Sequence, residues 1–436
     1  MRDLLILAIV IVSLPIGLFQ PFCGILVYAW ISYMNPHVLA WTYARTAPVA
    51  MLAALSVIAG MAFNQNADTA VLKQREIRCM LALLPFFALS SSFALNPDDA
   101  WQRWQDMAKI IIMSVIISAY ITSYRRLRLF LVVVALSIGF FGIKGGIFSL
   151  ATQGQFMVLG PGNSIIGANN NLGLALNMVL PMFWFLAKDV GNVWTRRALQ
   201  IGFLLIIPAI MFTYSRGSFL GLAVVLIYLI WKTKHRILLA GLLLAGTLIL
   251  ADYVPKRWLD RQSSTFQQEQ EDVSVQSRLD NWKLCWNIAL DRPLTGAGFR
   301  FFTPQVVSRY DSTFLIKYRT TWDTHNIFFG ILAGHGFPTC VLFFLMIAFV
   351  FATCRSLKKQ AKVHPQLSRI VPYADLVQVA IVAWLANGMF VNMEYFELPY
   401  HLVAVAAALK VVFNRELAQS STNAGSGDAG SLTAAA

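Results

Sequence analysis

Apolar runs of membrane-spanning length recur from end to end of this chain, and nothing else in it limits the fold as strongly. They fall near 3–34, 47–63, 77–95, 105–123, 127–150, 171–187, 198–214, 216–232, 235–253, 325–353, 373–393 and 398–414. As a helix, a run of roughly 18 or more apolar residues crosses a hydrocarbon core about 30 Å thick. Hydrophobic residues make up 57% of the chain and charged ones 13%, whereas soluble domains carry about 25% charged residues. A transmembrane barrel would show alternating segments of about ten residues, and the sequence has none. The expectation is an all-α polytopic membrane protein with about 12 transmembrane helices. Pro15 and Pro21 interrupt the first run, so one crossing plus a broken or re-entrant piece is expected there.

The net charge of +14 follows membrane topology and does not call for nucleic acid. Lys73, Arg75 and Arg78 form one basic cluster, Arg125, Arg126 and Arg128 another, and Lys188, Arg196 and Arg197 a third. Lys232, Lys234 and Arg236 follow, then Arg355, Lys358, Lys359, Lys362 and Arg369. These short loops alternate with the spans and are assigned to the cytoplasm. The long loop 254–324 is then external, as are 35–46, 96–104, 151–170 and 394–398. The chain divides into an N-terminal transmembrane bundle (1–253), the loop (254–324), C-terminal transmembrane helices (325–414) and a tail (415–436). The Ser/Gly/Ala-rich sequence after about Ser420 predicts disorder. Arg2 and the apolar residues behind it resemble a signal peptide, but no small-x-small cleavage site follows, so the segment is read as retained. Cys23, Cys79, Cys285, Cys340 and Cys354 lack metal-ligand spacing, and only Cys285 lies in the large loop, which argues against a disulfide framework there.

The loop opens with Ser277-Arg278-Leu279-Asp280-Asn281-Trp282-Lys283-Leu284-Cys285-Trp286. Leu279, Trp282, Trp286 and Ala289 recur at helical spacing and predict one apolar face. Ser277 with Asp280 resembles a capping box, and the aromatic residues suit a helix lying at the membrane interface.

Ionisable groups at the ends of spans are costly and are candidates for function. Arg216 stands among small residues where two apolar runs meet, suited either to an anionic ligand or to lipid phosphate. Arg278 is in the first turn of the loop helix, where a solvated helix face is the plain alternative. His325 opens a span, with Asp323 before it and Asn326 after it, and also fits a capping role. His335, ten residues deeper, reads as a packing or hydrogen-bonding residue. Lys144 suits an anion, and Asn169, Asn170 and Asn171 suit sugar hydroxyls or a helix cap. Glu394 and Glu397 flank Tyr395 at another external span end. Asp98 and Asp99 suggest a metal site, but Asn96-Pro97-Asp98-Asp99 is equally a helix start. Two arginines can hold a pyrophosphate bidentately and stabilise charge as it departs. A histidine, with an ordinary pKa near 6.5, can take a proton from an attacking hydroxyl.

Ser215-Arg216-Gly217, Arg278 with Trp282, Pro293 with Gly296-x-Gly298, and His325-Asn326 occur in that order across roughly 200–340. This ordered set resembles the O-antigen ligase/polymerase superfamily of inner-membrane glycosyltransferases. Met1-Arg2-Asp3-Leu4 through Met34-Asn35-Pro36 resembles its exosortase-associated O-glycosylation ligase branch. His335 departs from the acidic or aromatic residue many members carry before the following glycine, so no role is carried over to it. The resemblance implies a type C glycosyltransferase-like membrane fold with amphipathic helices in one large periplasmic loop. It implies an undecaprenyl-pyrophosphate-linked glycan donor and an inverting, metal-independent transfer that needs no cofactor. Arg216 and Arg278 would hold the pyrophosphate and His325 would be the general base. Lys144, Asn169, Asn170 and Asn326 would be weaker contacts to pyrophosphate or glycan. The acceptor would be a lipid A–core sugar, another glycan repeat or a protein hydroxyl, at the periplasmic face of a bacterial inner membrane. A lipid-linked glycan transporter is the rival from another class. It is disfavoured because transporters often show repeats and midplane broken helices, whereas polar residues here gather at one face.

Overall fold

The computed structural model describes residues 2–64, 66–233, 236–237, 241, 273–318 and 323–432. Among them every regular element is a helix. The N-terminal part comprises α1 (Arg2–Phe19), α2 (Pro21–Met34), α3 (Tyr43–Thr46), α4 (Val49–Phe63), α5 (Arg75–Ser92) and α6 (Pro97–Tyr120). Next come α7 (Tyr124–Ala151), α8 (Asn169–Asp189), α9 (Val193–Met211) and α10 (Arg216–Trp231). The described part of the long loop holds α11 (Val273–Asp291), α12 (Pro304–Tyr310) and α13 (Phe314–Tyr318). Three long helices close the chain: α14 (Ile327–Val363), α15 (Ile370–Gly388) and α16 (Glu397–Leu432).

Five helices, α7, α8, α9, α14 and α15, are long and apolar enough to cross a membrane by length and composition. Residues Ile6–Phe19, and α2, α4 and α10, are apolar but shorter. The run at 235–253 lies outside the described residues apart from 236, 237 and 241, so the structure supports an α-helical membrane protein of coarser span count than about 12. Small residues let the spans approach: a methyl on Gly146 of α7 would fall 1.9 Å from the Leu205 carbonyl oxygen of α9.

Ion pairs gather several of the basic loop residues at one end of the bundle. Arg128, early in α7, meets Asp189 at the end of α8 (3.6 Å), whose carboxylate also accepts from the Tyr373 hydroxyl of α15 (2.6 Å). Lys232, after α10, and Lys358, near the end of α14, share Asp375 of α15 at 3.1 and 2.8 Å. The starts of α8, α10 and α14 and the end of α15 therefore lie at the opposite end.

Residues 3–34 form two helices, broken beside Pro21. Gln20 separates two helices that fold back on each other, with Gly17 against Gly24. Asp3, at the start of α1, accepts from the backbone N–H groups of Trp41, Thr42 and Ala44, which brings the beginning of α1 to the segment beyond α2. Pro21 at the first position of α2 fixes this break. Ser277 is not a helix cap: α11 is already formed at Val273, and Asp280 instead binds Lys317 (2.8 Å) and the Tyr318 hydroxyl (2.6 Å) of α13. The last helix continues to Leu432, through the Ser/Gly/Ala-rich residues.

Candidate active site

Helix α14 breaks at Gly336, well below His325, and the break positions the whole site. Gly336 has φ +76°, in the left-handed region that glycine tolerates. Pro338 has no N–H to give the Gly334 carbonyl, and the Phe337 N–H turns away to the Pro293 carbonyl (2.8 Å). The Ala333 and Gly334 carbonyls thus lose their helical donors. The N–H groups of Ala297 and Gly298 replace them, each at 2.8 Å. Gly296 and Gly298, at φ +62° and +89°, let the turn lie flat on the broken helix. The Pro293/Gly296/Gly298 pattern is therefore a backbone seam that joins the loop to the span.

With its end fixed, α11 lies against the segment that enters α14. The Asn281 amide donates to the Asp323 carbonyl (3.1 Å) and the Trp282 indole N–H to the Thr324 carbonyl (3.2 Å). The Trp282 ring stacks on Phe329 with centroids 5.7 Å apart and planes 18° from parallel. Ser277, Asn281, Leu284, Cys285, Ile288 and Ala289 face inward, while Leu279, Trp286 and Leu290 are exposed. The single apolar face expected at Leu279, Trp282, Trp286 and Ala289 is thus divided. One part packs on the protein, and the other is a stripe suited to an interface.

This docking brings Arg278 and His325 within electrostatic reach. Burial, with the positive charge of Arg278 adding to it, lowers the His325 pKa to about 4. His325 has φ +47°, a strained conformation for a residue with a side chain. Asn326 follows as the cap of α14: its Oδ1 accepts from the N–H groups of Phe328 (2.9 Å) and Phe329 (3.2 Å), and its Nδ2 donates to the Met389 carbonyl (3.3 Å). The Asn326 amide is thereby used to hold the fold.

Arg216 is the first residue of α10, where a cation opposes the positive end of the helix dipole. That placement suits a site for an anion, which would meet the guanidinium and the helix N-terminus together. Ser215 caps the helix by accepting from the Ser218 N–H (3.2 Å). Asn169 Nδ2 donates to the Thr213 carbonyl (2.9 Å) and the Ser218 hydroxyl to the Asn170 carbonyl (3.5 Å), so both asparagines brace the Arg216 turn. Gly217 packs on Phe390, the neighbour of the Met389 that receives Asn326. Contacts therefore run from Asn169 and Asn170 through the Arg216 turn and residues 389–390 to Asn326 and His325. Lys144 is exposed on α7, and among the described residues no hydrogen bond joins it to this set.

Residues 201–344 match the family model described as O-Antigen ligase. The match supports the O-antigen ligase superfamily for this part of the chain. The match includes Arg216, Arg278, the Pro293–Gly298 seam and His325. Superfamily members are glycosyltransferase-like enzymes whose substrates are lipid-linked glycans. Residues 1–190 match a second model, Family of unknown function (DUF5935). No curated protein matches the chain.

Beside the seam lies a cavity of about 570 Å³ that the sequence reading did not assemble. Arg103 of α6 and Arg300 after α11 line it with Asp323 and residues 392–396. Of its lining, Asn171, Asp323, Glu394 and Tyr395 carried a sequence signal. His335 fixes the Tyr395 wall. The Ser90 hydroxyl donates to the Gly334 carbonyl (2.9 Å), so it accepts from His335 Nδ1–H (2.8 Å), and His335 Nε2 accepts from the Tyr395 hydroxyl (2.7 Å). The hydrogen-bonding role expected of His335 is met.

Proposed function

We propose that the protein is an O-antigen ligase, moving a polysaccharide en bloc from undecaprenyl pyrophosphate to a lipid A–core sugar hydroxyl at the periplasmic face. The observation that carries this reading is the juxtaposition of Arg278 and His325 created by α11. Arg216 and Arg278 bind the pyrophosphate and neutralise the charge it gains as the leaving group. His325, neutral at neutral pH, takes the proton of the acceptor hydroxyl, whose oxygen attacks the anomeric carbon from the face opposite the leaving pyrophosphate. The stereochemistry inverts. Binding of the pyrophosphate between the arginines offsets the charge of Arg278, raises the histidine's basicity and so couples the base to the donor.

The periplasmic orientation is supported by the basic cluster at the other end of the bundle. The described part of the loop, 273–318, acts as the lid, with its exposed Leu279, Trp286 and Leu290 in the interface. Asn169, Asn170 and Asn326 position the arginines and the base, while Lys144 recruits anionic headgroups. Polymerisation of glycan repeats, or transfer to a protein hydroxyl, would use the same donor site with another acceptor.

The test is single replacement of Arg216, Arg278 and His325 by alanine in a deletion strain. Polysaccharide-capped lipopolysaccharide should vanish from gels while the variants persist in the membrane, and transfer by the purified wild type should survive chelation. Full capping by His325→Ala would remove the base assignment, and activity lost to chelator and restored by a divalent ion would overturn the metal-free mechanism.

A further inference from the structure

The cavity between α6, the turn after α11 and the α15–α16 connection has a composition that the transfer chemistry above does not use. Two guanidinium groups stand on its rim. Arg103 lies 3.7 Å from Asp106 and Arg300 3.9 Å from Asp99, both partly exposed pairs at long range. Such pairs contribute little and are easily exchanged for a better anion. The Arg103 guanidinium also sits over the Tyr395 ring, 5.6 Å from its centroid.

At the wall is a carboxyl group without its full complement of partners. Glu394 is only 5% exposed, and its Oε2 has no hydrogen-bond partner. The nearby Thr324, 1% exposed, has an unpartnered Oγ1. Gly330 makes room for both: a methyl there would fall 2.6 Å from Glu394 Oε1 and 3.3 Å from Thr324 Oγ1. A buried polar group left unpaired is costly, so the Glu394 carboxyl at the cavity wall favours a ligand bearing hydroxyl groups. Burial, reinforced by Asp323 and opposed by Arg103, raises the Glu394 pKa to about 8. The group can therefore donate as well as accept.

We infer that this cavity binds an anionic sugar of the acceptor, with Arg103 and Arg300 on its carboxylate or phosphate and Glu394 on a ring hydroxyl. A volume of about 570 Å³ suits a saccharide unit. The acceptor is favoured over the donor because the cavity wall includes Asp323, two residues from the proposed base. The assignment to the acceptor rests on the transferase reading, but the binding itself does not.

The full-length protein in nanodiscs, without donor, is probed by saturation-transfer NMR with glucuronate, glucose 6-phosphate and glucose. Both anionic sugars should bind at least tenfold more tightly than glucose. Arg103→Gln/Arg300→Gln should abolish that preference, and the near-isosteric Glu394→Gln should weaken all three. Binding without preference for the anionic sugars, or unchanged in both variants, overturns the subsite. In the transfer assay the arginine double variant should raise KM for the acceptor at least tenfold while leaving KM for the donor unchanged. A rise confined to the donor overturns the acceptor assignment. If the wild type binds these sugars with the stated pattern yet transfers no glycan, the transferase reading fails and the anionic-sugar site stands.

Discussion

Gly296→Ala isolates the backbone seam from the chemistry it supports. An alanine at φ +62° adopts the left-handed conformation at a cost of about 1–2 kcal/mol. Its Cβ would lie 2.4 Å from the Gly334 carbonyl carbon and 2.5 Å from both the Gly334 oxygen and the His335 nitrogen. These are backbone atoms, so no side chain can swing aside. Reaching ordinary contact requires the turn to lift by about 1 Å, which stretches the Ala297-to-Ala333 and Gly298-to-Gly334 bonds beyond hydrogen-bonding range. Losing two net bonds adds about 1–3 kcal/mol, for a total of about 2–5 kcal/mol. Thermal unfolding of the purified protein, followed by tryptophan fluorescence, should show a midpoint lower by at least several degrees. Limited proteolysis should reach the loop sooner. Gly162→Ala is the control, since nothing lies within 4 Å of its added methyl. If Gly296→Ala and Gly162→Ala both unfold like the wild type, the seam does not hold the loop.

Other outcomes test the site directly. The His325 ring should titrate near pH 4 by NMR, neutral above that value and charged below it, and Arg278→Gln should move the midpoint upward by removing the cation. An ordinary midpoint near 6.5 in the wild type would contradict the burial. Trp282→Phe keeps the stack on Phe329 but loses the bond to the Thr324 carbonyl, so stability should fall by about 1 kcal/mol in chemical denaturation. An unchanged unfolding midpoint would show that the indole N–H does not hold this helix.

The residues that open helices were legible because their chemistry is local. The apolar runs that begin at 216 and 325 mark where helices start, and the structure has helices from Arg216 and Ile327. The two glycines after Pro293 were legible as a pattern, but their purpose was not. It depends on Pro338, which leaves the Gly334 carbonyl without a donor some forty residues away. Helix α11 misled for a related reason. Periodicity finds apolar faces, yet it cannot say that Asn281 and Ser277 would be buried and Trp286 left outside. Arg103 and Glu394 were hardest to connect. Arg103 is not unusual in its own segment and Glu394 stands out only as a span end, and they share a wall only because α6 and the α15–α16 connection meet there.

The break in α14 separates recognition from register. The loop is laid on the span through main-chain groups: the Ala297 and Gly298 N–H groups given to the Ala333 and Gly334 carbonyls, and the Phe337 N–H given to the Pro293 carbonyl. Bonds of this kind are indifferent to the side chains on either partner, provided that the glycines remain. Loop side chains other than those that dock the helix, such as Asn281 and Trp282, can therefore be replaced without shifting Arg278 relative to His325.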